Sequence, residues 1–585
     1  MTNEQVAQVF DQIALLLQLE DESVFRIRSY ERAAEAIRGL GEELATVRAG
    51  EGLESIPGVG EAIARKIEEL LDTGELEYLN RLLAKYPEGF LEMLKVPGLG
   101  PKRAAMFYRE LGIGSIHELE QAALAGRLRG LKGMGEKSEQ KLLAAIESYW
   151  QGRERALLGE MLPQAEALVA LLRELPAVRH ADYAGSTRRG RETVGDLDLL
   201  ATSDDPAQVC DRFAASGALA QVQLAGGTKV SGVLPGGRQV DLRVVAPDSY
   251  GAALMYFTGS QQHNIRLRER GQRMGLTLNE YGLFEIDEAG EPGARVAGET
   301  EDEVYAALEL AFIPPELRED RGEIPAAEAG ELPDLVELRD IRCDLHVHST
   351  WSDGRASIEQ MAQAVRERGH THLGIADHSQ ALYVAGGLKP KDILRQREQV
   401  DALNARLADE GAKFTVLLGT EADILSDASL DMTDEVFAAV DFVVGAVHQG
   451  FSADADRMTG RIVQALHTGR IDILAHPTGR LLLGRDPYAV RVAEIIEAAI
   501  AQDVALEINA APDRLDLSDV HARLAVDRGA LLSINTDAHD LRHLDFLRYG
   551  VLTARRGWVT APSVINTWPL RRLRSWLTRR RKRLA

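Results

Sequence analysis

Three aspartates in two strand-like runs have the residue type and spacing of a divalent-metal site. Asp196 and Asp198 are two residues apart in the run DLDLL, so both side chains project from one face of a strand. Asp241, in the run QVDLRVV, is a candidate third carboxylate. Three converging carboxylates repel one another unless divalent cations lie between them. Two Mg²⁺ ions there would activate an attacking hydroxyl and hold a departing pyrophosphate. The alternative is a solvated Asp-x-Asp pair at a strand end.

The segment just before these aspartates offers groups that bind phosphate. It reads GSTRRGRETVG from residue 185. A triphosphate is suited by backbone amides, a hydroxyl and cations, which here are the Gly185 amide, Ser186, Arg188 and Arg189. The combination of this segment with the aspartates is more specific than either pattern alone.

Nine histidine and carboxylate residues in the second half of the chain follow apolar, strand-like runs. They are His346, His348, Asp353, His378, Glu421, His448, His476, Asp537 and His539. Such ligands from several strand ends are what a multinuclear transition-metal site needs, and barrel domains build sites at the C-terminal ends of their strands. A single histidine there is usually a hydrogen-bonded core or surface residue. The His-x-His and Asp-x-His pairs with five further ligands favour a metal centre.

A short glycine motif occurs three times within the first 150 residues. The copies are IPGVG, VPGLG and LKGMG, at residues 56–60, 96–100 and 131–135. In each, a tight turn precedes a helical pattern, and the free N–H groups of a helix N-terminus suit a DNA phosphate. One copy indicates an ordinary loop between helices, whereas three copies predict sequence-independent DNA binding. The candidate residues are Gly58, Gly60, Gly98, Gly100, Gly133, Gly135 and Lys137.

The elements that must position these residues change in type along the chain. The first 150 residues follow a helical apolar pattern, and the residues from about 180 alternate as in β-strands. The second half alternates apolar strands with helical stretches. This order predicts a multidomain protein with a helical N-terminal region and a parallel α/β or barrel-like C-terminal domain.

The charge of the chain is unevenly distributed. The 585 residues carry a net charge of −22, which by itself argues against nucleic-acid binding. Residues 301–340, however, hold 13 acidic and 3 basic side chains, and residues 551–585 hold 10 basic and no acidic ones. The acidic stretch is predicted to be a solvated linker. The basic C-terminus has three interpretations: DNA contact, a helix folded against the barrel, or a solvated tail.

The composition also excludes several classes of protein. Two cysteines, Cys210 and Cys343, cannot form a disulfide framework and favour a reducing compartment. The first ten residues lack the basic and apolar regions of a signal peptide. No run approaches the roughly 18 consecutive apolar residues of a membrane span. We therefore expect a cytoplasmic protein without a membrane segment.

The first 315 residues resemble a family X DNA polymerase. The strings GSTRRGRETVGDLDLL, QVDLRVV, YFTGSQQHN and LTLNEYGLF occur in the family's order after the glycine motifs. The resemblance implies that Asp196, Asp198 and Asp241 are catalytic ligands of Mg²⁺ or Mn²⁺, with Asp241 helping to activate the primer 3′-hydroxyl. It implies a nucleotide site formed by Gly185, Ser186, Arg189, Gly195, Tyr256, Phe257, Thr258, Gly259, Asn264 and Arg268.

Lys66 carries a further implication of this resemblance. Similar animal enzymes have an imine-forming lyase lysine on the helix after the first glycine hairpin, and Lys66 occupies the matching place. A Schiff-base role needs a lowered lysine pKa, which the neighbouring Arg65 would assist. The alternative is an exposed helix lysine that faces DNA. The sequence leaves both interpretations open.

Residues 341–575 closely resemble the polymerase and histidinol phosphatase (PHP) domain, and all nine of its ligand positions are filled. The resemblance implies a distorted barrel of seven βα units that holds up to three metal ions. These ions would activate a water and neutralise charge on a phosphoester. Mn²⁺ is the expected metal, and the ligand types also allow Zn²⁺ or iron.

The two halves together resemble a bacterial or archaeal family X polymerase fused to a PHP domain. The implied function is gap filling in DNA repair of the base excision type, with a 3′–5′ exonuclease in the PHP domain. The implied substrates are gapped or nicked DNA and deoxynucleoside triphosphates, used by a monomer associated with the nucleoid. Two alternatives are a PHP domain that acts as a small-molecule or 3′-end phosphatase, and a DNA-end binding scaffold.

The resemblance also predicts the domain boundaries. In chain order the predicted regions are a lyase-like helical domain (1–85), a second helical DNA-binding domain (86–150), a polymerase beta-like nucleotidyltransferase palm (151–245), a thumb-like domain (246–318), an acidic linker (319–340), the PHP domain (341–575) and a basic tail (576–585).

Overall fold

A computed structural model describes the chain except for residues 2, 21, 39–43, 51, 57, 88, 95, 97–98, 132, 288–290 and 583–585. The chain divides into two compact units, Met1–Glu154 and Arg155–Ala585. None of the helices within the described residues combines the length and the apolar composition needed to cross a lipid bilayer.

The described residues of the first unit form helices and turns. Apolar residues at helical spacing, such as Phe10 and Ile13, are buried together with Phe90 and Phe107 in one core. The helices are Asn3–Leu19, Val24–Arg38, Leu44–Ala49, Glu61–Thr73, Glu77–Leu83, Phe90–Met93, Pro101–Leu111, Ile116–Leu124 and Glu136–Glu154, with 3₁₀ turns at Leu53–Ser55 and Arg127–Gly130.

The second unit begins with a five-stranded sheet that carries the predicted aspartates. Its strand order is His180–Tyr183, Leu197–Thr202, Gln239–Val245, Lys229–Val233 and Gln221–Ala225. The second and third of these strands are parallel, and the other pairs are antiparallel. Apolar side chains of the helices Leu158–Arg173 and Pro206–Ala214 share a core with the sheet. Two short strands, Ala156–Leu157 and Thr193–Val194, pair beside it.

A smaller α+β region follows. Its antiparallel strands are Leu276–Asn279, Gly282–Ile286 and Pro292–Ala297. Its helices are Tyr250–Thr258, Gln261–Arg273 and Glu301–Ala307, and the short helix Gly185–Arg188 belongs to the first sheet, between its strands His180–Tyr183 and Leu197–Thr202. Leu267 and Tyr305, both fully buried, belong to its core. The palm-and-thumb order predicted from the sequence is therefore found.

The prediction of a solvated acidic linker is wrong. Residues 323–329 form the helix Glu323–Ala329, and the side chains of Glu316 and Glu323 are buried. Each has a partner from elsewhere in the chain: Glu316 accepts from Arg555 at 2.7 Å, and Glu323 lies 2.7 Å from His263. Charge counting along the sequence fails here because the polar partners are distant in the chain and come close only after folding.

The C-terminal half is a distorted parallel barrel, as predicted. One sheet contains Cys343–Val347, His372–Ile375 and Thr415–Leu418, and a second contains Glu421–Asp423, Val444–Ala446, Ile473–Leu474, Ala505–Asn509 and Leu531–Asn535. All strand pairs are parallel. Single bridges join the two sheets at His378–Glu421 and Val347–Ala538. The helices are Ile358–Glu367, Pro390–Asp409, Asp434–Ala439, Ala455–His467, Val492–Ala501, Asp519–Asp527, Leu547–Arg556 and Leu570–Lys582.

The basic C-terminus is a helix folded against the barrel, which was one of the three interpretations. The helix begins at Leu570, so the predicted boundary at residue 576 falls inside it. Trp576 is 1% exposed, and the buried Arg580 donates to the buried Asp472 at 2.8 Å. Its other arginines include the exposed Arg571 and Arg574.

Candidate active sites

Each glycine motif of the first unit leads into a helix, and two of the motifs have a described glycine turn. Gly58 and Gly133 have φ values of +85° and +80°, in the left-handed region where an L side chain is strained. Gly60, Gly100 and Gly135 are exposed, and each immediately precedes a helix. The N–H groups of these helix N-termini therefore stand where a phosphate can reach them.

The other two predicted DNA-contact residues are Gly98 and Lys137. Gly98 lies outside the described residues. Lys137 is exposed in the first turn of the helix Glu136–Glu154, where its charge adds to the third motif.

Lys66 lies on the helix after the first motif, beside two tyrosines. Its Nζ donates to the carbonyl oxygen of Ala62 at 2.9 Å and lies 5.2 Å from the ring centre of Tyr78 and 5.9 Å from that of Tyr30. The side chain is partly buried rather than fully exposed. It therefore differs from the solvated, DNA-facing lysine of the alternative interpretation.

The pKa of Lys66 is lowered, although not by the neighbour that the sequence suggested. Burial is the main cause, and the nearby Arg26 lowers the pKa further. Arg65 is instead ion-paired with Glu61, and its side chain is 72% exposed. Arg26 precedes Lys66 by 40 residues, so only the fold reveals this neighbour.

The predicted aspartates of the second unit converge at one end of the five-stranded sheet. Asp198 and Asp241 are directly opposite each other on adjacent parallel strands. Burial of Asp198, with the charges of Asp196 and Asp241, raises the pKa of Asp198 to about 6. This mutual repulsion is what a divalent cation would relieve, so the three carboxylates fit a metal site.

Asp241 is held in the ionised form. Burial opposes ionisation, but hydrogen bonds from Lys229 and Ser231 lower the pKa of Asp241 below its usual range. Lys229 Nζ lies 2.8 Å from Asp241 Oδ2, on the next strand of the sheet. The carboxylate is therefore available as a ligand or as a proton acceptor.

A cavity of about 500 Å³ opens beside these carboxylates. Its lining contains nearly all of the nucleotide-site residues predicted from the sequence: Gly185, Ser186, Arg189, Gly195, Tyr256, Phe257, Gly259, Asn264 and Arg268, together with Asp196 and Asp198. Gln261 also lines it, as does Arg155, which was not predicted. Arg155 precedes the palm sheet and had no local motif to mark it.

Thr258 is the one predicted nucleotide-site residue that does not line the cavity. It is fully buried, and its hydroxyl accepts a hydrogen bond from Arg188 Nη1 at 2.7 Å. Arg188 also donates to both carboxylate oxygens of Glu301, at 2.9 and 2.6 Å. Arg188, a candidate phosphate ligand by sequence, is thus used to hold the thumb helix that begins at Glu301.

Arg189 is held at the cavity by two acceptors. Its Nε donates to Glu319 Oε1 at 3.0 Å, and its Nη1 donates to the carbonyl oxygen of Thr258. Glu319 belongs to the acidic stretch that was expected to be solvated, so the sequence missed its role. No local pattern marks Glu319, because its partner lies 130 residues away.

All nine predicted histidine and carboxylate ligands of the barrel come together at the C-terminal ends of its strands. Three groups have ligand atoms within 4.8 Å of one another: His348, Asp353, His378 and His539; His346, His348 and Asp537; and His378, Glu421 and His448. The ninth ligand, His476, places Nε2 at 3.2 Å from Glu421 Oε1. His348 and His378 each belong to two groups, which is the arrangement of a multinuclear centre.

Three buried ligand atoms of this cluster lack a hydrogen bond, which fits metal coordination. Nε2 of His346, Nδ1 of His348 and Oε2 of Glu421 are buried and make no hydrogen bond to the described protein residues. Buried polar atoms without partners are costly, and metal coordination would satisfy all three. The imidazole and carboxylate donors suit Mn²⁺, Zn²⁺ or iron.

Two carboxylates that the sequence did not single out orient the histidines. Glu507 Oε1 lies 2.8 Å from His346 Nδ1, and Asp423 accepts from His448 Nδ1. Such contacts fix which nitrogen faces a metal. Glu507 is an acid within an apolar strand, and Asp423 follows Glu421 by two residues on the same strand, so both carried a weak signal.

The pKa values of two histidines in the cluster are shifted in opposite directions. Burial and the neighbouring His539 and His378 lower the pKa of His348 to about 3. Burial also acts against protonation of His378, but Glu421 and Asp353 outweigh it and raise the pKa of His378 to about 10. Arg514 lies at the edge of the cluster, with Nε 4.0 Å from Asp537 Oδ2.

Models of known protein families match four parts of the chain. They are a helix-hairpin-helix domain (residues 1–76), a SAM-like helix-hairpin-helix tandem (90–148), a DNA polymerase beta thumb (253–319) and a PHP domain (344–511). The matches occur in the order that the fold shows. They define a polymerase beta-like region followed by a PHP barrel.

Individual relatives extend this likeness to the whole chain. A DNA polymerase/3′-5′ exonuclease PolX of Bacillus subtilis (strain 168) is 36% identical over 581 residues, 99% of this chain and 100% of that protein. DNA polymerase lambda of Rattus norvegicus is 30% identical over 45% of this chain and 48% of that protein. DNA polymerase lambda of Arabidopsis thaliana is 26% identical over 46% of this chain and 53% of that protein. The chain therefore belongs to the family X DNA polymerases that carry a C-terminal PHP domain.

Proposed function

We propose that this chain is a DNA-directed DNA polymerase that fills short gaps in DNA repair of the base excision type, with a metal-dependent 3′–5′ exonuclease in its PHP domain. The observation that carries this proposal is the presence of two complete sites in one compact unit. One is the carboxylate cluster beside the nucleotide-sized cavity. The other is the nine-ligand cluster of the barrel.

In the polymerase site each group has a distinct task. Asp196, Asp198 and Asp241 would hold Mg²⁺ or Mn²⁺, which stabilises the charge that develops when a primer 3′-hydroxyl attacks the α-phosphate in line. Asp241, kept ionised by Lys229, accepts the hydroxyl proton. The triphosphate is bound by the Gly185 amide, Ser186 and Arg189, beside Gly195. Tyr256, Phe257 and Gly259 flank its sugar, and Asn264 and Arg268 lie near the nascent pair.

In the barrel the ligands would hold up to three Mn²⁺ ions, or Zn²⁺ or iron, which polarise a water and neutralise charge on the phosphodiester. Glu507 and Asp423 keep His346 and His448 in the ligating tautomer. Arg514, at the edge of the cluster, is suited to hold a substrate phosphate. The reaction releases the 3′-terminal nucleotide by hydrolysis.

A labelled gapped primer tests both assignments on one substrate. The proteins are wild type, Asp198→Ala and His348→Ala, assayed with Mn²⁺ in the presence and absence of nucleotides. We expect Asp198→Ala to degrade the primer without extending it, and His348→Ala to extend it without degrading it. The activity that each variant retains shows that this variant is folded.

The outcomes also separate the alternatives. Extension by Asp198→Ala would exclude the polymerase assignment, and degradation by His348→Ala would exclude the exonuclease assignment. A barrel that removes only a 3′-phosphate or hydrolyses only small phosphomonoesters would be a phosphatase. A wild-type protein that binds the gap without either reaction would be a scaffold.

Lys66 supports a second activity, removal of a 5′-deoxyribose phosphate. The observation that favours it is the partly buried position of Lys66 beside Tyr30 and Tyr78. Burial there lowers the pKa of Lys66 and leaves more of the amine unprotonated for attack on an aldehyde carbon. Loss of water forms the imine, and elimination then breaks the C3′–O bond. We expect Lys66→Ala to lose trapping by borohydride at an abasic 5′-end, while the matched Arg65→Ala retains it. Full processing by Lys66→Ala would exclude this role.

The remaining parts of the proposal concern DNA binding and cellular context. The glycines of the three motifs and Lys137 bind the backbone of gapped or nicked DNA; these glycines are Gly58, Gly60, Gly98, Gly100, Gly133 and Gly135. We propose that the protein acts as a monomer. We propose that it works on the nucleoid in the cytoplasm, where such DNA substrates occur. The seven regions given above complete the proposal, with 319–340 as a folded rather than a solvated connection and with the C-terminal helix Leu570–Lys582 joined to the barrel.

A further inference from the structure

A helix of the barrel supports the nucleotide-binding segment of the polymerase site. Residues 185–190, called here the nucleotide turn, contain Gly185 and Arg189, which line the cavity. The barrel helix, Leu547–Arg556, packs against this turn. A Cβ placed on Gly190 would lie 3.3 Å from the Cβ of Leu552, so backbone and barrel helix are in close contact.

Arg556, at the end of the barrel helix, makes the polar part of this contact. Its Nη1 donates to the carbonyl oxygen of Arg189 at 2.7 Å and to Glu319 Oε1 at 2.9 Å. The same Glu319 oxygen accepts from Arg189 Nε at 3.0 Å. Arg556 therefore binds both the backbone of Arg189 and the carboxylate that orients its side chain.

A barrel residue holds Arg556 from the other side. The Nη2 of Arg556 donates to Asp519 Oδ2 at 2.8 Å, and Asp519 also accepts from Arg321 at 3.0 Å. The side chains of Arg556, Glu319 and Asp519 are only 4%, 11% and 13% exposed. Charge-assisted hydrogen bonds at such low exposure are stronger than surface pairs, and the planar guanidinium fixes its acceptors in direction.

We propose that Arg556, a residue of the barrel, is a positioning residue for the nucleotide-binding Arg189 of the polymerase site; this inference rests on the proposed polymerase function. Arg189 uses Nε and Nη1 for Glu319 and the Thr258 carbonyl, and its Nη2 makes no hydrogen bond to the described protein residues. That group is left for a phosphate oxygen. Without Arg556 the Arg189 backbone loses its donor, and Glu319 loses one of its two buried cations.

The proposal is specific to one part of the interface, which supplies a matched control. Arg548 lies on the same barrel helix and is also ion-paired with the polymerase half, through Glu166 of the helix Leu158–Arg173. Neither Arg548 nor Glu166 lines the cavity. Removal of the Arg548 guanidinium therefore weakens the contact between barrel and polymerase half without changing the contacts of the nucleotide turn.

The test measures gap filling and exonuclease with one full-length protein. The variants are Arg556→Met, Arg556→Lys, Asp519→Asn and the control Arg548→Met. We expect Arg556→Met to raise the KM for the incoming nucleotide about tenfold, as one lost hydrogen bond to a charged group would. The affinity for gapped DNA and the exonuclease rate should stay within about twofold of wild type, as should every value for Arg548→Met.

Two further variants keep the proposal testable if Arg556→Met folds poorly. Arg556→Lys retains the charge beside Glu319 but cannot reach three acceptors at once, so its KM should lie between wild type and Arg556→Met. Asp519→Asn changes only a barrel side chain and should raise the nucleotide KM in the same direction, by about twofold to threefold.

Three results separate the possible failures. A nucleotide KM that is the same for Arg556→Met and Arg548→Met would overturn the proposal. A parallel fall of extension, exonuclease and melting temperature would also overturn it, because Arg556 would then be a structural residue only. A wild-type protein that does not extend primers would instead contradict the proposed function.

Discussion

Gly185 and Asp198 are in such close contact that no side chain fits between them. Gly185 has a φ of +60°, and a Cβ placed there would lie 2.1 Å from Oδ2 of Asp198. The nucleotide turn and the carboxylate site are therefore built against each other. The glycine at position 185 is required by this approach as well as by the backbone conformation.

Gly185→Ala should accordingly disable the polymerase site. We expect primer extension to fall by about 10²-fold, because a shift of about 1 Å at a reacting centre has that effect. The exonuclease rate should not change. The control is Gly217→Ala, which has a φ of +79° with nothing within 4 Å of the added Cβ, and which we expect to extend primers normally. Equal losses in the two variants would show that backbone strain alone is responsible.

The raised pKa of Asp198 predicts a pH-dependent metal requirement for polymerisation. Protons compete with metal for a carboxylate, and this one binds its proton at a pH of about 6 in the metal-free protein. As the pH falls through 6, more Asp198 is protonated, so the Mg²⁺ concentration for half-maximal extension should rise. An ordinary aspartate, with a pKa near 3.8, would cause this rise only near pH 4. Steady-state extension at limiting Mg²⁺ between pH 5 and 8 distinguishes the two cases.

Glu507→Gln should weaken metal binding in the barrel. Glu507 orients His346 and also accepts from the His476 backbone N–H at 2.9 Å. Loss of such a supporting carboxylate lowers metal affinity by about 10- to 100-fold. We expect the exonuclease to need correspondingly more Mn²⁺, with primer extension unchanged. Glu497→Gln, whose side chain is 62% exposed, should behave as wild type. An unchanged Mn²⁺ requirement in Glu507→Gln would show that His346 needs no such support.

The exposed face of the C-terminal helix is expected to contact DNA phosphates. Basic side chains lie along this face, among them the exposed Arg571 and Arg574. Deletion of the helix is a poor test, because it would remove the buried Trp576 from the core. We expect Arg571→Gln/Arg574→Gln to reduce the slope of log Kd against log salt by about one to two, since each phosphate contact adds about one. The comparison is Arg339→Gln, whose side chain is 80% exposed, and an unchanged slope in the double variant would rule out contact.

Much of both sites was predictable from the sequence because their ligands follow local rules. Asp196 and Asp198 lie at the start of a strand, and His346 and His348 alternate along another, so spacing alone places each pair on one face. The second glycine of each repeated motif directly precedes a helical apolar pattern, so the start of the helix could be predicted from the sequence.

The supporting residues were not predictable in this way. Glu507 and Glu319 act on groups 161 and 130 residues away in the chain, and neither belongs to a motif. The prediction of a solvated linker was wrong for the same reason, since distant partners are not visible in the local sequence. An acidic run looks solvated when its charges are counted along the chain, but Glu316 and Glu323 are paired with distant residues and buried.

The sequence by itself thus determined which side chains are the candidate ligands, because ligand type and position in a strand or turn can be identified from short stretches of chain. Only the tertiary structure decided which charged side chains bind and orient those ligands. Arg556 is 367 residues from Arg189 and becomes its neighbour through packing of the barrel helix. The physical reason is that the pairing of buried charges depends on distance in space, whereas a motif records distance along the chain.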